Sequence, residues 1–141
     1  MKVQIPFNIS DRTMGRLMQL GDRIWRNTDK KFADWNMTTN HYNVLRILNG
    51  AGEPLSQVEI SRRLLSSRAN VTKVIDHLEE IGFVHRNSCK DRRVRLIELT
   101  QKGYRFIADT LQEAEEYAED QMDSLSKREQ KILCGLLGKL L

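Results

Sequence analysis

Within six consecutive positions the chain carries Arg68, Asn70, Thr72 and Lys73. These side chains hold the groups that read base edges: arginine bonds guanine bidentately, asparagine bonds adenine, and a threonine methyl meets the methyl of thymine. Val71, Val74, Ile75, Leu78 and Ile81 recur through the same segment at three- and four-residue steps. That period predicts an amphipathic helix from Ser67 to Ile81 with an apolar core face. Arg68, Thr72 and Asp76 fall opposite that face, with Lys73 and His77 beside them. Ser67 opens the helix, where free backbone N–H groups favour phosphate. Asn70 also suits a brace for the preceding turn. Arg62 and Arg63 are expected to clamp phosphates. Farther on, Asn87-Ser88-Cys89-Lys90-Asp91-Arg92-Arg93 forms a basic tip. Lys90, Arg92 and Arg93 there are expected to reach DNA, an arginine entering the adjacent minor groove where negative potential is high. Asp91 is expected to pair with a neighbouring arginine and fix the shape of the tip.

Charge supports a polyanionic partner. Arg62 to Arg95 contains nine basic residues and four acids, whereas acids slightly outnumber bases over the rest of the 141-residue chain. The excess of positive charge is thus confined to about a quarter of the sequence, as a nucleic-acid footprint requires. The acids Glu113, Glu115, Glu116, Glu119, Asp120 and Asp123 cluster elsewhere and cannot lie on phosphate.

These residues need elements to hold them. A long helix is expected from about Asp11 to Trp35, with a cap among Ile9, Ser10 and Asp11 and with Met14, Leu17, Met18, Leu20, Ile24, Trp25 and Phe32 at helical spacing. A second follows Thr38-Thr39 and stops at Gly50-Ala51-Gly52. Ser56 with Glu59 forms a capping box for a short third helix, and Ser66-Ser67 caps the fourth. After Gly82 the period changes: Phe83–Arg86 and Arg95–Leu99 read as two strands of a hairpin. Thr100 caps a further helix, and Ser126 with Glu129 caps a last one rich in leucine. The fold class is mainly α with a small β-wing, a winged helix-turn-helix.

The segment from Leu55 to Gly103 closely resembles the core of the MarR family. The matching pattern is Thr72, then Leu78-Glu79-Glu80-Ile81-Gly82-Phe83-Val84-His85-Arg86, Asp91-Arg92-Arg93 and Leu99-Thr100-Gln101-Lys102-Gly103. The resemblance implies a single domain in which residues 10–35 and 100–141 form dimerisation helices and residues 37–99 a DNA-binding lobe. It implies a homodimeric, sequence-specific transcriptional regulator on double-stranded, palindromic DNA, with reading heads one turn apart. It also implies a site for a small aromatic anionic effector between arm and lobe. Trp25 and Tyr42, with Met18, Phe32 and Trp35, would line that site, and Arg16 or Arg46 would pair the anion. The alternative is a winged-helix module that docks an acidic protein without specific DNA binding.

Other chemistry has little support. No nucleophile–base pair, metal motif or Gly-rich phosphate loop stands out, so no enzyme, metal or cofactor is expected. Cys89 and Cys134 lie far apart, which is no disulfide framework. Cys134 reads as a small core hydrophobe, and a redox role for Cys89 is not expected. His41, His77 and His85 are expected to be structural or surface residues. No apolar run approaches the roughly 20 residues of a membrane span, and a cytoplasmic location is the expectation.

Overall fold

A computed structural model describes residues 7–64, 67–88 and 95–141. Helix α1 spans Ile9–Phe32, a 3-10 turn follows at Ala33–Trp35, and α2 spans Thr39–Ala51. Strand β1 (Leu55–Ser56) precedes α3 (Gln57–Leu64) and α4 (Arg68–Glu80). Strands β2 (Val84–Ser88) and β3 (Arg95–Leu99) lead to α5 (Gln101–Gln121) and α6 (Lys127–Gly138).

Local chemistry sets most boundaries. Thr38, Ser67, Thr100 and Ser126 each accept a backbone N–H at a helix start, satisfying one otherwise unpaired donor. Glu59 and Glu129 reach back to Ser56 and Ser126 as the capping-box pattern predicts. The expected cap of α1 is corrected: Asn8, not Ser10 or Asp11, accepts the N–H of Asp11 at 2.9 Å. Gly52 and Gly82 end their helices at φ 66° and 79°, a left-handed conformation open to glycine at little cost.

The expected hairpin forms, β2 pairing antiparallel with β3, and gains a third strand that was not expected. The sheet has three antiparallel strands in the order β1-β3-β2, with Leu55 opposite Ile97 and Val84 opposite Leu99. Two residues are too few to show a period of two, so β1 exists only because β3 supplies its partner.

The core lies in the lobe. Val44 and Leu45 of α2, Leu55 of β1, Ile60 of α3, Val71, Ile75 and Leu78 of α4, Val84 of β2 and Ile97 of β3 are all below 2% exposed. One apolar cluster therefore holds α4 against α2, α3 and β2. Aromatic rings join lobe to arm: Phe32 stacks on Trp35 at 5.0 Å and meets Tyr42 at 4.6 Å, while Phe83 stacks on Phe106 at 4.7 Å. The start of α5 is held as closely. Thr100 Oγ1 donates to Gly82 O at 2.6 Å, and a Cβ at Gly103 would sit 2.2 Å from Phe83 O. Only glycine lets α5 leave the sheet so near the root of β2.

The arm is different. Phe7, Ile9, Met14 and Met18 near the start of the chain, and Ile132, Leu136, Leu140 and Leu141 at its end, are all more than half exposed in the single chain. Cys134, expected in a core, is exposed as well and lines an apolar groove of about 640 Å³ with Leu133 and Leu137. Among the described residues no helix is long and apolar enough to cross a membrane.

Candidate nucleic-acid interface

Helix α4 divides as its sequence predicts. Val71, Val74, Ile75 and Leu78 are buried, whereas Arg68, Ala69, Lys73, Asp76 and Glu80 are exposed. At 100° per residue Ala69, Lys73, Asp76 and Glu80 form the outward ridge, with Arg68 and Thr72 along one flank and Asn70 and His77 along the other. Ser67 is spent at the helix start, where Oγ accepts the Asn70 N–H at 3.2 Å. Arg62 and Arg63 are exposed in the last turn of α3, on the approach to α4. Arg62, Arg63, Arg68 and Lys73 are thus all exposed, the first two on α3 and the others on α4, though Arg63 borders a cleft with Asn43 and Arg46 and Lys73 a different one with Trp25 and His41. Lys90, Asp91, Arg92 and Arg93 lie outside the described residues, as does Cys89.

Two neighbours hold this surface in place. Gln57, the first residue of α3, donates its side-chain amide to Thr72 Oγ1, and Thr72 in turn donates to Arg68 O at 2.8 Å. Arg86 of β2 pairs with both Asp76 and Glu79 of α4, and its backbone N–H donates to Glu79 Oε1 at 3.2 Å. The Arg86 side chain is only 14% exposed. Strand β2 and helix α4 are therefore joined by a forked guanidinium, the geometry that suits two carboxylates. Asp76, an anion on the outward ridge, acquires its counter-charge in this way. Farther along the wing, Glu98 of β3 lies 2.7 Å from His85 Nε2 and accepts the Asn87 amide.

The inward flank of α4 faces α1 and α2 across a cleft of about 270 Å³, bounded by Trp25, Asp29, Thr38, Asn40, His41, Asn70, Lys73 and Val74. Asn70 is half-buried there and not on the ridge. The four residues expected to share one effector pocket are separated within a single chain. Trp25 borders this cleft; Arg16 lies in a groove with Phe7 and Asp11. Arg46 shares a polar cleft of about 340 Å³ with Asn43 and Arg63, and Tyr42 is 2% exposed within the core. They sit on α1 and α2 at different heights and faces, Arg16 and Trp25 being nine residues and thus half a turn apart on α1.

His77 is half-buried and stacks on His41, with ring centroids 4.5 Å apart. His41 Nδ1 accepts the Thr38 N–H at 3.1 Å, closing the cap of α2. That bond requires an unprotonated Nδ1. Burial, then the neighbouring His77, hold the His41 pKa below its ordinary value, with Asp29 opposing them. The unfolded chain consequently binds a proton more readily than the folded one, so stability is full above about pH 6.5 and falls as pH drops below it. Urea unfolding at pH 7.5 and 5.5 is expected to show a smaller pH difference in His41→Gln than in the parent chain, because Gln Oε1 can accept the same N–H without titrating. An unchanged difference would remove His41 from this account.

Sequence reasoning missed Gln57, Ala69 and the pairing of Arg86. Gln57 is fifteen residues from Thr72, and no local period relates positions that far apart. Ala69 was the one signal within reach, since its angular position alone puts it on the ridge. Among the described residues no group of three or more His, Cys, Asp or Glu could hold a metal ion.

The MarR family model matches residues 37–94, which run from the last residues before α2 to the residue before β3. The HTH-type transcriptional regulator PecS of Dickeya dadantii is 28% identical over 130 residues, spanning 90% of this chain and 78% of PecS. Two solved structures share the fold. One is a mutant MarR from E. coli complexed with operator DNA, at TM-score 0.81 and 21% identity over 96% of this chain and 99% of that one. The other is BpsR of Bordetella bronchiseptica, whose DNA binding is described as regulated by 6-hydroxynicotinic acid, at TM-score 0.83 and 22% identity over 92% of this chain and 98% of that one.

Proposed function

We propose that this chain, whose residues 37–94 match the MarR family model, is a homodimeric transcriptional regulator whose two α4 helices read the half-sites of a palindromic operator. The observation that carries this reading is the exposed side of α4, which presents Arg68 and Lys73 near the helix start, with Arg62 and Arg63 exposed in the last turn of α3, while the opposite face of α4 is buried. In the proposal α4 enters the major groove, Arg62 and Arg63 hold phosphates, and Arg68, Thr72 and Lys73 meet base edges. Ser67 offers the helix start to phosphate, Asn70 braces the flank, and Lys90, Arg92 and Arg93 reach the minor groove with Asp91 shaping the tip. The uncovered apolar arm of α1 and α6 would pack on a second copy, setting the two reading helices about one DNA turn, roughly 34 Å, apart.

Occupancy of the operator is proposed to respond to a small effector in the Trp25 cleft. That cleft offers an aromatic wall, and Lys73 supplies a positive charge for an anion. Three of its residues, Asn70, Lys73 and Val74, belong to α4, so a ligand there would compete directly with the DNA-bound position of the helix.

Fluorescence anisotropy on the duplex upstream of the chain's own coding region tests the reading. Affinity is expected to fall linearly with log salt, and replacing Arg62 and Arg63 with alanine should lower that slope by about 2. Arg68→Ala should instead relax preference at one base position, by about 1–3 kcal/mol. Equal losses on all sequences from both changes would reject base reading by Arg68. No binding to any duplex at low salt would reject the DNA function and favour docking of an acidic protein.

A further inference from the structure

We infer that Gln57 is a positioning residue that makes Thr72 a methyl reader, giving each half-site a thymine read through its 5-methyl group. This rests on the proposed DNA-binding role of α4. A free threonine hydroxyl is both donor and acceptor, so it discriminates poorly among base edges. Here the hydroxyl is engaged on both counts: it donates to Arg68 O at 2.8 Å and accepts the amide of Gln57. The same Gln57 nitrogen lies 3.4 Å from Arg68 O, so one amide spans both members of the bond. With its polar atom tied to the backbone and to α3, Thr72 has a methyl group as its remaining recognition element. Ala69, three residues earlier and exposed, places a second methyl alongside it. Neither group can bond a base, but both can make apolar contact with the methyl of thymine.

The experiment begins with selection of a bound sequence from a random duplex pool, using the full-length protein. Each thymine of the selected duplex is then replaced in turn by deoxyuridine, which removes only the methyl group. One position per half-site is expected to lose about three- to fivefold in affinity, the value of a single buried methyl. Thr72→Val should keep both affinity, within about threefold, and the thymine-to-uracil ratio. Thr72→Ser, which deletes the methyl, should bring the ratio down toward 1, leaving only what Ala69 contributes. Gln57→Ala should lower the ratio by freeing the hydroxyl, and adding Thr72→Val to Gln57→Ala should restore it, because valine needs no partner to present a methyl. A general structural role for Gln57 would not predict that rescue. A flat deoxyuridine scan in a protein that binds its selected duplex tightly would overturn this inference alone. A Thr72→Ser protein that retains the ratio, or a Thr72→Val protein that loses tenfold or more, would do the same. Failure to select any duplex would overturn the DNA-binding reading with it.

Discussion

Replacing Leu136 with aspartate is expected to leave a folded monomer that binds operator DNA at least about 100-fold more weakly than the parent. Leu136 and Ile132 of α6 are each 53% exposed in the single chain, and Leu140 is 72% exposed. Burying such side chains contributes about 1.5–3 kcal/mol each. A row of them facing water is the pattern of an element that has yet to meet its partner. A carboxylate inside the proposed dimer interface would be desolvated without a counter-charge, which costs more than the leucine contributes. The DNA effect follows from linkage: two heads joined in one dimer bind the second half-site intramolecularly, an advantage of about 10²–10⁴. Light scattering measures the mass, and anisotropy the affinity. The lobe core is remote from α6, so its far-ultraviolet dichroism should be retained. A parent chain that is monomeric at micromolar concentration, or a variant that stays dimeric, would overturn the assignment of this face.

Arg86→Ala carries the second large effect. It is expected to cost about 2 kcal/mol of stability, since removing one partner strands the others, and to lower the melting temperature by about 6 °C at fixed protein concentration. It should also weaken DNA binding about tenfold or more. Asp76, on the outward ridge of α4, would lose its cationic partner and present an uncompensated charge to the phosphates. The two effects separate in a double variant: Arg86→Ala with Asp76→Asn should recover much of the DNA affinity but little of the stability, because Glu79 still lacks its fork. Arg86→Lys should fall between, retaining charge but not bidentate geometry. If Arg86→Ala left both melting temperature and affinity intact, the link between wing root and reading helix would have no energetic weight.

Much of this protein is written locally in its chain. The capping boxes at Ser56–Glu59 and Ser126–Glu129, the caps at Thr38, Ser67 and Thr100, and the glycine stops at Gly52 and Gly82 all act within four or five residues. The two faces of α4 follow from a period of 3.6 alone. These features were legible because helix ends and amphipathic faces depend on near neighbours. The family resemblance likewise rests on runs of adjacent residues.

Tertiary structure decided the rest. Strand β1 is defined by β3, some forty residues away. Gln57 reaches Thr72, Arg86 reaches Asp76 and Glu79, and His41 stacks on His77. Each of these contacts is set by how helices pack, and packing depends on the summed shape of the core rather than on any short pattern. The same cause separated Arg16, Tyr42 and Arg46 from Trp25, and left Cys134 on an uncovered face. Residue type and phase thus determined which side chains point outward from the reading helix, and the packing of its neighbours determined which of their atoms remain free to read.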